Sequence, residues 1–155
     1  MSTATPTGGA GRAVFTYGTL MFPVVMDTVT GQTLESHRAS LAGFQRFGVS
    51  GEVYPGIVEA EGKTTLGRLY LAVDDDTLAV LDRFEDWLYE RRTLEVELKE
   101  GGSFTAEVWM VPERYADRLD GRPWDPFGFM GGDLEAYLES CRAFRIADRD
   151  GTNRN

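Results

Sequence analysis

Residues 89–110 read YERRTLEVELKEGGSFTAEVWM and carry the clearest fold signal in the chain. In the first half, apolar residues alternate with polar ones up to Leu98, which is the period of a strand with one buried face. Gly101-Gly102 offers a tight turn, and residues 104–110 after it are again rich in β-branched and aromatic side chains. The stretch therefore predicts a β-hairpin.

Helices are predicted on both sides of this hairpin. Three aspartates at residues 74–76 precede Leu78. Carboxylates at a helix start accept hydrogen bonds from free N–H groups and suit the positive end of the helix dipole, so we predict a helix over about residues 75–85. A last helix is predicted from Asp133, and its apolar stripe consists of Leu134, Tyr137, Leu138, Cys141 and Phe144.

Shorter β-prone runs occupy the first half of the chain. Residues 13–17 form an apolar run that stops at Gly18, and a short helix is predicted to start near Pro23. The runs that follow predict a glycine-broken strand over 41–49, a turn at 54–56 and a further strand over 65–73.

Several strands with few helices predict an α+β fold, a small closed or half-closed mixed β-barrel with flanking helices. Strands do not alternate with long helices, so a doubly wound sheet is not expected. The length of 155 residues fits one domain. We predict that this domain covers residues 13–146, between a flexible leader at 1–12 and a flexible tail at 147–155.

Composition excludes several classes of function. A net charge of −9 argues against a nucleic-acid partner, because phosphate binding needs clustered Lys and Arg. No apolar run approaches the roughly 18 residues of a membrane span. The single cysteine, Cys141, is typical of a reducing compartment and predicts a cytoplasmic location. With one cysteine and one histidine, His37, no Cys/His metal cluster is expected, and no nucleotide-binding motif predicts a cofactor.

Glu85 is the first candidate for chemistry. Leu78, Leu81, Glu85 and Leu88 are spaced by three, four and three residues, which places a carboxyl on the apolar face of a helix. Burial there would raise its pKa and suit it to general acid/base work near neutral pH. Alternatively, the helix ends near Glu85, whose carboxylate then reaches solvent or pairs with Arg91 or Arg92. The pattern alone favours this second interpretation.

The segment from Phe15 to Met21 is the second candidate. A strand that ends in Gly18 leaves backbone N–H groups unpaired at the turn, and glycine lets an anionic group approach the main chain. A helix that starts near Pro23 would add a favourable dipole. Because strand-glycine-turn sequences are common, the pattern alone favours an ordinary turn.

Both candidates belong to a larger set of short segments, namely FTYGTLM at 15–21, LAGF at 41–44, YPGI at 54–57, GRLY at 67–70 and LDRFED at 81–86. In this order the segments resemble the γ-glutamylcyclotransferase-like family, in particular its branch of avirulence-induced plant proteins and γ-glutamylamine cyclotransferases. Tyr89, Arg91 and the last helix share the resemblance.

The resemblance implies a small β-barrel with flanking helices and an enzyme that releases 5-oxoproline from a small γ-glutamyl amide or amine. It places the catalytic carboxyl at Glu85. It also implies a substrate-binding loop at Tyr17, Gly18, Thr19 and Leu20. Tyr54, Tyr89 and Arg91 are predicted to position the substrate or to orient Glu85, although Arg91 would lower the carboxyl pKa rather than raise it.

One departure from the family pattern follows Glu85 directly. Many relatives carry glycine there, whereas this chain has Asp86 and then Trp87, which is predicted to narrow the pocket. The alternative function is a non-catalytic protein that binds a small metabolite in the same pocket. Formation of 5-oxoproline from γ-glutamyl compounds separates the two interpretations.

Overall fold

A computed structural model describes residues 11–151 of the chain. Its strands are β1 (Arg12–Thr16), β2 (Ser36–Gly48), β3 (Pro55–Val73), β4 (Glu90–Leu98) and β5 (Ser103–Met110). Its α-helices are α1 (Pro23–Thr30), α2 (Asp75–Glu85), α3 (Pro126–Gly128) and α4 (Leu134–Arg149). Short 3-10 helices cover Thr19–Met21, Asp86–Leu88 and Glu113–Arg118, and a π-helical turn covers Phe129–Asp133.

The five strands form a closed barrel in the order β1-β3-β2-β4-β5, which confirms the predicted mixed barrel with flanking helices. The predicted hairpin is the β4–β5 pair, antiparallel from Glu90 opposite Met110 to Glu97 opposite Ser103. A parallel contact between β1 and β5 closes the barrel. This closure brings the chain after β1 next to segments that are far away in sequence.

Strands β2 and β3 are longer than the sequence predicts. The expected break within 41–49 is instead a bulge between Ala42 and Phe44, and β2 continues on both sides of it. Gly43 at this bulge has φ +88°, a conformation that glycine adopts without strain. The expected turn at 54–56 and strand at 65–73 merge into one strand of 19 residues, which pairs with β2 along most of its length.

Two apolar clusters follow from the alternation of side chains along the strands. Phe15 faces the barrel interior with residues from all five strands, among them Leu69 and Val108. Its neighbour Val14 points the other way, into a cluster with α1, α2 and α4 that includes Leu81. The helices therefore cover one side of the barrel and hold the end of α2 against it.

The end of the domain differs from the prediction. The tail was expected to begin at residue 147, but α4 continues to Arg149. Asp148 is buried there, and its carboxylate accepts a hydrogen bond of 2.6 Å from Nε of Arg83 on α2. This ion pair stabilises the last turn of the helix. The rest of the predicted tail, from residue 152, and residues 1–10 of the predicted leader lie outside the described residues.

Candidate active site

A cavity of about 330 Å³ lies where the chain leaves β1, between the end of α2 and the first half of α4. Residues 15–20 and 84–89 line it, together with Val49, Ser50, Glu52, Tyr54, Pro55, Trp109 from β5 and Arg118. Helix α4 contributes Tyr137, Ser140 and Cys141. The barrel thus brings together residues that are up to about 125 positions apart in the chain.

Seven of the eight predicted site residues line this cavity, namely Tyr17, Gly18, Thr19, Leu20, Tyr54, Glu85 and Tyr89. Arg91 does not line it. Its Nη1 lies 3.0 Å from Oδ2 of Asp82, and its Nε lies 3.2 Å from Oε1 of Glu107. Two carboxylates therefore hold the guanidinium outside the cavity lining, which does not fit the predicted contact of Arg91 with a substrate.

Glu85 is the last residue of α2 and continues the apolar face of Leu78 and Leu81, both of which are buried. Its side chain is only partly exposed because it faces the cavity. Burial first, and then the negative charge of Asp82, raise the pKa of the Glu85 carboxyl to about 8. Within residues 11–151, Glu85 forms no ion pair, so neither Arg91 nor Arg92 neutralises it.

Tyrosine hydroxyls fix the walls around Glu85. Tyr17 donates a hydrogen bond of 2.6 Å to the carbonyl of Trp109, and Tyr89 donates one of 2.6 Å to the carbonyl of Pro55. Burial raises the pKa of Tyr17 and Tyr89 well above the ordinary value. Both phenols therefore stay neutral across the physiological range.

The loop after β1 is held from two sides. The Tyr17 carbonyl accepts a hydrogen bond of 2.7 Å from Nη1 of Arg46. A Cβ on Gly18 would lie 2.8 Å from ring carbons of Pro55. Close packing against Pro55 therefore requires glycine at this position, in addition to the predicted approach of a ligand. The first hydrogen bond of the 3-10 helix runs from Met21 N to Gly18 O, and the N–H groups of Thr19 and Leu20 precede it.

The sequence interpretation missed several cavity residues. Tyr137 was assigned to the apolar stripe of the last helix, and Trp109, an aromatic residue that could line a pocket, was interpreted as part of the core. Trp109 Nε1 donates a hydrogen bond of 2.9 Å to Asp82, so it connects the cavity wall to α2. Trp87 lines the cavity as expected, and the guanidinium of Arg118 lies 5.0 Å from the centre of its ring. No local pattern predicts these contacts, which depend on barrel closure.

Asp86 carries backbone strain beside Glu85, with φ +65° and ψ −151°. Only glycine adopts this region readily, so we expect Asp86→Gly to raise the free energy of unfolding by about 1 kcal/mol, after the entropy cost of glycine. A thermal melt should show a midpoint about 2–4 °C higher. Asp86→Ala is the control because it removes the charge but keeps a Cβ. An equal gain in both variants would assign the effect to charge and contradict this account.

The described part of the chain, residues 11–151, contains no group of three or more His, Cys, Asp or Glu residues that could hold a metal ion. None of its helices is long and apolar enough to cross a membrane.

Comparison with known proteins decides the family. The family model described as gamma-glutamyl cyclotransferase, AIG2-like, matches residues 14–126, which include the end of β1, the loop after it and Glu85. The chain belongs to this family.

Relatives in Arabidopsis thaliana support the assignment. The AIG2-like protein D is 38% identical over 135 residues, which cover 86% of this chain and 88% of the relative. The AIG2-like protein C is 38% identical over 139 residues, which cover 88% and 80%.

Solved structures share the fold of this family member. The solution structure of an Arabidopsis thaliana protein superimposes with a TM-score of 0.66 at 26% identity, covering 90% of this chain and 92% of that chain. A structure described as a gamma-glutamyl cyclotransferase superimposes with a TM-score of 0.60, covering 85% and 86%. Its identity of 18% supports the fold alone.

Proposed function

We propose that this protein cyclises the γ-glutamyl group of a small γ-glutamyl amide or amine to 5-oxoproline and releases the free amine. The observation that carries the proposal is the Glu85 carboxyl, whose pKa of about 8 is suited to proton transfer and which shares a cavity with the Tyr17–Leu20 loop. Family membership supports the same type of reaction.

The reaction needs no nucleophile from the protein. The α-amine of the substrate attacks its own γ-carbonyl carbon, a C–N bond closes the five-membered ring, and the C–N bond to the leaving amine breaks. The protein therefore gains rate mainly by holding the folded conformer of the substrate. Cys141 fits this view, because it is buried and burial raises the pKa of its thiol to about 12, which disfavours a thiolate.

Glu85 is proposed to carry the protons. As carboxylate it accepts a proton from the substrate α-ammonium, and as carboxylic acid it returns that proton to the departing nitrogen. The ring nitrogen then loses its remaining extra proton to solvent. A pKa near the working pH lets one group serve both steps. The substrate α-carboxylate is proposed to bind the N–H groups of the Gly18–Leu20 loop, whereas Tyr54 and Tyr89 would bound the γ-glutamyl chain.

The pH dependence of kcat/KM is expected to follow the titration of the Glu85 carboxyl. The base form is required, so kcat/KM should rise up to tenfold per pH unit and level off near the Glu85 pKa of about 8. Asp82→Asn keeps a side-chain oxygen for Trp109 but removes a charge that raises the pKa, so its acidic limb should move to lower pH. An acidic limb that stays in place in Asp82→Asn would contradict this electrostatic assignment.

A substrate panel tests the proposal. Purified protein is incubated with γ-glutamyl amino acids, γ-glutamyl dipeptides and ε-(γ-glutamyl)lysine, and the 5-oxoproline formed is measured. We expect release from at least one class. Binding by calorimetry without product from any class would overturn catalysis and favour the metabolite-binding alternative.

The cytoplasmic location and the absence of a cofactor stay predictions from the sequence.

A further inference from the structure

Two hydroxyl groups that meet in the cavity, one on helix α4 and one in the loop after β1, have no part in the proton transfers assigned to Glu85. Oγ1 of Thr19, in the loop after β1, lies 3.0 Å from the hydroxyl oxygen of Tyr137 and donates a hydrogen bond to it. Both residues line the cavity with Glu85. The pair links the predicted substrate loop to the last helix across more than a hundred residues of chain.

One O–H group of the pair is not used in the hydrogen bond between the two residues. Two hydroxyl groups carry two protons, and the single hydrogen bond between Thr19 and Tyr137 uses one of them. Thr19 donates, so the O–H of Tyr137 remains for another acceptor. Among the other phenols that line the cavity, Tyr17 and Tyr89 donate to backbone carbonyls, and Tyr54 is hydrogen-bonded to the Glu52 side chain.

The Tyr137 ring is held in place. Its centre lies 5.4 Å from that of Phe129 and 6.4 Å from that of Phe84, both in edge-on contacts. Phe84 directly precedes Glu85, so the same packing fixes the phenol relative to the carboxyl. Burial raises the pKa of Tyr137, which keeps the hydroxyl protonated.

Cyclisation creates two anionic groups that need donors. The substrate α-carboxylate is present from the start, whereas the γ-carbonyl oxygen becomes negative only when the amine attacks. The N–H groups of the Gly18–Leu20 loop are assigned above to the α-carboxylate, so the developing oxyanion needs a further donor. A fixed neutral donor aimed at the developing charge stabilises the transition state more than the ground state.

We propose that the Thr19–Tyr137 hydroxyl pair donates the hydrogen bond that stabilises the γ-carbonyl oxygen as it becomes anionic. This inference rests on the proposed function. Tyr137 is thereby a catalytic residue that touches the reacting oxygen and keeps its proton, and Thr19 is a positioning residue that orients it. The proton transfers stay with Glu85.

The test is steady-state kinetics of Tyr137→Phe on a substrate that the unmodified protein converts. We expect kcat to fall about 100-fold with KM changed less than about threefold, because the bond forms only in the transition state. Thr19→Val should lower kcat about tenfold, and Thr19→Val with Tyr137→Phe should be no slower than Tyr137→Phe alone, since the pair acts as a unit. Tyr115→Phe, outside the cavity, is the control with unchanged kinetics.

Each outcome decides between the claims. If the unmodified protein makes no 5-oxoproline from any substrate, the proposed function fails and the role of the pair fails with it. If it is active and Tyr137→Phe keeps kcat, or raises KM alone, only the role of the pair is overturned. If Tyr137→Phe does not fold, a Thr19→Val protein with unchanged kcat overturns it, and one with the tenfold loss at unchanged KM supports it.

Discussion

Glu85→Gln is expected to lower 5-oxoproline release by at least about 1,000-fold, because glutamine can neither accept the proton of the substrate amine nor return one to the leaving group. The amide has nearly the same shape, so substrate binding should be largely retained. The measurement is 5-oxoproline formation by the purified variant at pH 8. Glu90→Gln on β4, an exposed carboxylate outside the cavity, is the matched control and should retain full activity.

The same variant should be more stable than the unmodified protein at alkaline pH. The pKa of Glu85 rises on folding from the ordinary 4.5 to about 8, so the folded state binds the proton more tightly than the unfolded state. The contribution of the Glu85 proton to folding stability is therefore fully present below pH 4.5. It is lost as the pH rises from 4.5 through about 8. We expect Glu85→Gln to recover about 3 kcal/mol at pH 9, less than the full shift implies, because cavity water screens the charge.

Denaturant unfolding at pH 5 and pH 9 measures this effect. The unmodified protein should lose stability between the two pH values, and Glu85→Gln should lose less. Equal losses in both proteins would mean that Glu85 titrates normally, and the proposed proton transfers would lose their physical basis.

Gly67→Ala is expected to have the largest effect on stability. A Cβ at residue 67 would lie 2.0 Å from the carbonyl oxygen of Thr16 and 2.8 Å from Cζ of Phe15. Both atoms belong to β1, and neighbouring Arg68 pairs with Thr16 in the β1–β3 ladder. A backbone atom cannot move aside like a flexible side chain, so we expect a loss of about 3 kcal/mol or more.

A thermal melt of Gly67→Ala should show a midpoint at least about 6 °C lower than that of the unmodified protein. Gly132→Ala is the matched control, because a Cβ there would have no neighbouring atom within 4 Å and the φ of Gly132 is not positive. Activity should fall with stability in Gly67→Ala, since Thr16 leads directly into the Tyr17–Leu20 loop. A midpoint like that of Gly132→Ala would show that β1 and β3 are less closely packed than described.

Local patterns predicted the elements that depend on neighbours in sequence. The hairpin of β4 and β5 follows from alternation around Gly101-Gly102, and α2 begins where Asp74 accepts a hydrogen bond from Thr77 N. The lengths of β2 and β3 did not follow, because glycines that look like breaks are absorbed by a bulge and by pairing along the barrel. Helix α4 extends past the predicted end because Arg83, on another helix, pairs with Asp148.

The same distinction between local and long-range contacts applies to the residues of the candidate site. Helical spacing drew attention to Glu85 and a strand-glycine turn to the Tyr17–Leu20 loop, but each pattern alone favoured a structural interpretation. The family resemblance assigned both to one site, and both line the same cavity. The position of Arg91 outside the cavity lining was not predictable, because its partners Asp82 and Glu107 are brought to it by the contact between α2 and the barrel. Tyr137 was missed because its partner Thr19 lies at the opposite end of the domain.

Product analysis tests the central claim most directly. Cyclisation by the substrate's own amine must release 5-oxoproline and free amine in equal amounts, without free glutamate, from a γ-glutamyl compound that the protein converts. Chromatography of the complete reaction, with the Glu85→Gln protein as the blank, should show this stoichiometry. Release of glutamate in place of 5-oxoproline would mean that water, not the α-amine, is the nucleophile, and would contradict the proposed use of this cavity.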